Sequence, residues 1–508
     1  KTATPGKRHS RRRIAVAAAV LWGVVALGFA ALQPTALTAR HRADTLDRVQ
    51  RLIAEWRVEE AAALLAPLSG AGGSKADDPE VELVRGQLAF HQGDYEGAAG
   101  RLRAVLGTLH LPPADTAEVR ALADLAAASA DVTRGYAEQR SSGGHFLIRY
   151  RRGRDEVLVP YAGDALERAW TALGEDFAEL GEGTAAKPVG PVRVEIYEDV
   201  VDLARVSTLT VKEIETSGTI ALCKWNRLMI VSPRALLRGY PWLDTLTHEY
   251  THYIVSRVSR NTVPIWLHEG LAKYQERRWR GASGGGLSPH MEQMLATAVG
   301  KGRLITFEQM SPSMAKLPSQ EDTALAFAEV YTVIEFLHAK LGWAGVRRIL
   351  HEMALGQSDT RAVGAAYGGS FAQFERAWKG WLRGRKQRPK GGLFSAKLRF
   401  RKKPPAGTAQ GAGAASPEED DSGEISDPKA RGLIRITDLL RARGRHAAAT
   451  MEYEKAQAIM GSSHPLIALK LGRTYLTLDE PERAIAALEP ARDLYADMPG
   501  INAALGSA

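Results

Sequence analysis

The stretch Thr247-His248-Glu249-Tyr250-Thr251-His252 decides the reading of this chain. It contains His-Glu-x-x-His, and Leu246, Tyr250, Tyr253, Ile254 and Val258 recur around it at helical spacing over Leu243 to Val258. Residues four apart share one face of a helix, so His248 and His252 can point at a single ion. Glu249 is turned about 100° around the helix from His248, where it misses the ion yet can reach a water beside it. Two imidazoles and a carboxylate in this order are the donors and general base of a zinc hydrolase. Asp244 stands just ahead, either as a helix cap or as a carboxylate that orients an imidazole.

Further on, Trp266-Leu267-His268-Glu269-Gly270-Leu271-Ala272 opens a second helix. Glu269 can supply a third ligand, and three protein ligands with an open fourth position make a catalytic zinc site, not a structural one. His268 faces about 100° away from Glu269 on that helix, as a supporting group or a solvent-facing one. These two stretches resemble the gluzincin-type zinc metallopeptidases. They look most like the bacterial peptidase MA-like domain family, often flanked by tetratricopeptide-like (TPR-like) repeats, in which the second helix begins Trp-Leu-x-Glu-Gly-Leu-Ala. The resemblance covers residues 145–383. It implies one Zn2+ per chain held by His248, His252 and Glu269, with Glu249 as base.

The resemblance also implies a tyrosine on a helix packed across the cleft. Tyr331, within an amphipathic stretch from Ala324 to Leu341, is the candidate to stabilise an oxyanion, the alternative being a core tyrosine. It further implies a sheet edge that pairs with an extended substrate. That edge is expected near Thr219, Ile220 and Ala221, the alternative being an ordinary buried strand. No Gly-x-Met-Glu-Asn exopeptidase signature occurs, which favours an endopeptidase over an aminopeptidase.

Ahead of the metal helix, His145–Tyr150 alternates like a strand, as do Val192–Tyr197, Gly218–Leu222 and Leu228–Val231, with a helix expected around 161–180. Residues 42–135 and 433–508 are Ala/Leu-rich with helical periodicity. Gly86, Phe90, Tyr95 and Ala98 in the first region, and Gly472, Tyr475, Ala484 and Leu488 in the second, fall where TPR-like repeats place small and aromatic residues. The expected fold class is therefore α+β: a gluzincin-like metallopeptidase domain, a small sheet followed by helices, between α-helical TPR-like regions.

The chain has 508 residues, 45% hydrophobic, with a net charge of +9. Much of the positive excess lies in the basic segment 1–13 and in a run after residue 382. Residues 14–32 are apolar and uncharged. As a helix they would span about 28 Å, close to a bilayer core of about 30 Å. The basic segment ahead of them orients an anchor with its N-terminus in the cytoplasm and the bulk outside, periplasmic or extracellular; a cleaved signal and a buried helix are the alternatives. Residues 384–432 run from basic through Ala/Gly/Pro-rich to acidic and read as a disordered linker. Few aromatics interleave the basic run, so no nucleic acid partner is expected. The single cysteine, Cys223, excludes an intramolecular disulfide. The function that follows is a membrane-anchored zinc metallopeptidase acting on a peptide or protein substrate, with the repeats docking a protein partner. The alternative is an inactive peptidase-like scaffold that binds proteins in the cell envelope.

Overall fold

The computed structural model describes residues 34–69, 78–177, 190–281, 284–385, 398–401, 422–492, 494–495 and 498–508. The chain forms two units. Of Lys1–Asp44 only the opening turns of the first helix are described; Thr45–Ala508 holds everything else. The expected anchor at 14–32 lies outside the described residues, and among those residues no helix is long and apolar enough to cross a membrane.

Five helices come first: α1 (Pro34–Ala54), α2 (Val58–Leu65), α3 (Pro79–Gln92), α4 (Tyr95–Thr108) and α5 (Pro113–Val132). The α3–α4 hairpin is closed by Gly93 at φ +83°, and Asp94 caps α4 by accepting from the Gly97 N–H. The two helices meet closely because Gly86 faces Leu102, whose Cγ would lie 2.8 Å from a Cβ at that position.

A five-stranded sheet follows: β1 (Ala137–Arg140), β2 (Phe146–Tyr150), β3 (Val192–Tyr197), β4 (Ala221–Lys224) and β5 (Arg227–Val231). The spatial order is β1-β2-β3-β5-β4, parallel at β2/β3 and β3/β5 and antiparallel at both ends. Helix α6 (Leu158–Asp176) forms the crossover from β2 to β3; the short α7 (Val200–Arg205) and α8 (Val211–Ser217) lead to β4. The β4–β5 hairpin turns through Trp225 and Asn226, both at positive φ (53° and 61°), the two-residue geometry that matches strand twist. Strand β4 begins three residues later than the sequence suggests, and β1 is an additional strand. β1 is polar and mostly exposed, without the alternation that marks a half-buried strand.

Helix α9 (Trp242–Val258) carries the His-Glu-x-x-His stretch and is buried nearly all round from Leu246 to Val258. Trp170 of α6 stacks on its Tyr250, and Trp56 packs on its Tyr253. Arg260 and Asn261, both at positive φ, reverse the chain into α10 (Ile265–Gln275). Next come α11 (Pro289–Lys301), α12 (Phe307–Met310), α13 (Gln320–Ala354, two helical segments meeting at Gly342), α14 (Asp359–Tyr367) and α15 (Phe371–Gly384). Gly270 lets α10 lie directly on α13: a Cβ there would sit 2.9 Å from Ile334 Cγ1 and 3.0 Å from the Val330 carbonyl.

The C-terminal helices are α16 (Pro428–Ala442), α17 (His446–Met460), α18 (Pro465–Thr477), α19 (Pro481–Arg492) and α20 (Pro499–Ser507). Gly472 of α18 faces Leu488 of α19 as Gly86 faces Leu102. Most of the stretch 384–432 lies outside the described residues, but its described parts are not a free tether. The Leu237 N–H donates to the Arg399 carbonyl and the Arg401 N–H to the Ala235 carbonyl, with Leu398 and Phe400 packed on the core. Glu424 pairs in fork geometry with Arg238, and α16 already begins at Pro428. Composition does not register such contacts, because a few apolar residues in a polar run suffice to make them.

Candidate active site

Helix α9 presents His248 and His252 on one face, their rings 4.7 Å apart and nearly perpendicular. Glu269, in the first turns of α10, places Oε2 3.3 Å from both His248 Nε2 and His252 Nε2. The outer nitrogens have partners of their own. His248 Nδ1 faces Glu276, whose other oxygen holds Lys273 Nζ at 2.6 Å. His252 Nδ1 meets His268 Nδ1, and His268 Nε2 is 3.1 Å from Ser256 Oγ. In the tautomer with both Nδ1 atoms protonated towards these partners, both Nε2 lone pairs face Glu269.

In that tautomer three acceptor atoms converge, a donor set suited to a cation. Without a metal, the cluster meets the same need with a proton on His248. Burial pushes the His248 imidazole down, but hydrogen bonds to Glu269 and Glu276 outweigh it and raise its pKa to about 10. Burial opposes ionisation of Glu269, yet His252 and His248 hold its carboxyl well below the usual range. Around a tetrahedral zinc with bonds of about 2.0–2.1 Å, ligand atoms lie about 3.3–3.4 Å apart. The observed separations and the N/O donor set fit that ion.

Glu249 is buried beside this cluster, and a carboxylate oxygen of it lies within 4.8 Å of ligating nitrogens of both histidines. Burial raises its pKa, against the lowering effect of His252, of His248 and of a hydrogen bond from the Cys223 main-chain N–H. That bond follows from the register of β4. The Val231 N–H donates to the Ile220 carbonyl, so Ile220 faces β5 with its backbone, and Ala221 and Cys223 turn theirs to the other edge. Thr219 uses its N–H and hydroxyl on Ser217 Oγ. Of Thr219, Ile220 and Ala221, only Ala221 therefore offers its backbone to the edge beside Glu249, together with Cys223.

Tyr331 is buried on α13. Its hydroxyl accepts from the Gly286 N–H at 3.0 Å, and its ring packs on Tyr274. Phe327, one turn earlier on α13, is the residue that packs on the His248 ring. Asp244 neither caps α9 nor reaches an imidazole. It lies inside the first turn and accepts from Trp279 Nε1 and the Arg280 guanidinium. The sequence reading passed over Glu276, whose signal was available: it lies seven residues after Glu269, on the same face of one helix. Cys223 carried no signal, because its main chain, not its thiol, does the work.

The stretch 172–384, which contains α9, α10 and α13, matches the Peptidase MA superfamily. A search of curated proteins gives no match. The fold, the convergent donor set and this likeness agree that residues 172–384 form a peptidase-like domain.

Proposed function

We propose that this domain is a zinc-dependent endopeptidase acting on extended peptide segments. The observation that supports it most is the convergence of His248 Nε2 and His252 Nε2 on Glu269 Oε2, each at 3.3 Å. When bound there, zinc would lower the pKa of a water towards about 7 and polarise the scissile carbonyl. Glu249 takes the proton from the attacking water and delivers it to the leaving amine, a role suited to a buried carboxylate with a raised pKa. Ala221, and Cys223 through its carbonyl, pair with the substrate backbone along the edge of β4. Glu276 and His268 hold the two imidazoles in the tautomer that leaves Nε2 free. Tyr331 remains the candidate to stabilise an oxyanion: its hydroxyl accepts from the Gly286 N–H and keeps its own proton to donate. Anchoring through 14–32, with the bulk outside the cytoplasm, and TPR-like partner docking complete the proposal and rest on sequence alone.

Glu249→Gln tests the reading. The variant should keep its zinc and lose hydrolysis of an unstructured peptide mixture by about 10²–10⁴-fold. Near-normal turnover would remove Glu249 from the base role.

A further inference from the structure

The N-terminal α3–α4 hairpin meets the sheet through its tip, the end at which peptide-binding helical repeats are not expected to be buried. Phe90 and Tyr95, flanking the turn, are both buried. Phe90 packs edge-on against Trp225 at the tip of the β4–β5 hairpin, with ring centroids 5.6 Å apart. The Tyr95 hydroxyl donates to Glu195 Oε1 of β3 at 2.5 Å and accepts from Arg227 Nη1 of β5. Arg227 and Glu195 form an ion pair at 2.9 Å with both side chains 0% exposed. Tyr197 donates to the other oxygen of Glu195, and Arg227 also donates to the Val206 carbonyl. The Arg227 guanidinium lies over the rings of Tyr95, Phe90 and Trp225 at 4.8, 5.4 and 5.7 Å. Arg227 is the residue paired with Lys224 where β4 and β5 turn, and Cys223 precedes Lys224.

We propose that Phe90 and Tyr95 are positioning residues for the catalytic centre. By clamping Trp225 and Arg227 they fix the β4–β5 hairpin, and through it the Cys223 N–H that meets Glu249 and the strand edge that receives substrate. The hairpin is thus a built-in wall of the active site whose docking sets substrate affinity. This rests on the peptidase reading for its consequence in catalysis, but not for the mechanical coupling itself. Strand β4 has only four residues and one neighbouring strand among the described residues. A strand so short opens readily unless its turn is held.

The test uses the full chain with Tyr95→Phe, Trp225→Ala, the conservative Trp225→Phe, and Tyr475→Phe in the C-terminal hairpins as control. Amide hydrogen exchange and zinc content are read in each variant, with kcat and KM on an unstructured peptide. Tyr95→Phe and Trp225→Ala should speed exchange across Ala221–Lys224 on the order of tenfold, with exchange in α13 and zinc content unchanged. They should raise KM more than they lower kcat; Trp225→Phe should recover most of the loss, and Tyr475→Phe should do neither. A merely structural role would lower zinc content and kcat together and leave KM in place. Unchanged exchange in β4, or equal acceleration in α13, overturns the proposal, as does looser β4 with unchanged kinetics. A wild-type chain that cleaves no peptide while β4 still responds would instead overturn the peptidase reading and leave the clamp standing.

Discussion

The two helical flanks are built alike and attached differently. In each, a glycine on one helix faces a leucine on the next, Gly86 with Leu102 and Gly472 with Leu488. In each, an aromatic residue near that crossing bonds a carboxylate and an arginine. In the N-terminal flank those partners, Glu195 and Arg227, belong to the sheet and are wholly buried. In the C-terminal flank the partners of Tyr475 are Glu454 and Arg483, from the same helical region and half exposed. That flank holds the peptidase-like domain through the Arg238–Glu424 pair, 13% and 18% exposed. An apolar cavity of about 180 Å³, lined by Tyr240, Leu398 and Met498, remains at the junction. One hairpin design therefore serves as a fixed wall on one side and as a loosely fitted attachment on the other.

The largest effect should come from breaking the buried pair. Arg227→Met removes the fully buried partner of Glu195, which keeps Arg149 and two tyrosine hydroxyls, and should destabilise the protein by about 3 kcal/mol, measured by urea unfolding. The same pair sets a pH signature. Burial disfavours the Glu195 carboxylate, but Arg227, Arg193 and Arg149 override it and lower its pKa to about 2, from 4.5. A carboxyl lowered in the folded state contributes stability in full above pH 4.5, and the contribution fades as pH falls towards 2. The stability gap between wild type and Glu195→Gln should accordingly be constant above pH 4.5 and narrow below it. A gap that persists unchanged at pH 2.5 would mean the charge is not what Gln removes.

Smaller effects sharpen the contrast. Gly86→Ala and Gly472→Ala each place a Cβ within 3.0 Å of a leucine and should each cost about 1–3 kcal/mol. Only Gly86→Ala should also quicken amide exchange in β4. The smallest effect is expected at the C-terminal attachment, where Arg238→Ala leaves Glu424 paired with Arg399 and should cost about 1 kcal/mol. A loss as large as that from Arg227→Met would erase the distinction between the flanks.

The parts of this fold that follow simple periodicities were legible in the sequence. The metal helix, the Glu269 helix and the strands β2, β3 and β5 appear where their apolar spacing put them. Strand β1 was not legible, since Ala-Glu-Gln-Arg at an exposed edge has no alternation to detect. The start of β4 was misplaced because Gly218 ends the preceding helix in the left-handed conformation and Thr219 bonds back to Ser217 instead of joining the ladder. Chain position put Tyr331 on α13, the helix whose Phe327 packs on the His248 ring. The Glu195–Arg227–Tyr95 cluster joins residues up to 132 positions apart, and no local pattern announces such a contact.

We propose that His248, His252 and Glu269 hold one zinc ion. Native mass spectrometry of the chain after stripping and resupplying zinc measures this directly, with Glu269→Ala alongside. One zinc per wild-type chain, retained in Glu249→Gln and lost in Glu269→Ala, is the expected result. A wild-type chain that takes up no zinc would contradict the account, and unchanged zinc in Glu269→Ala would contradict its assignment of the third ligand.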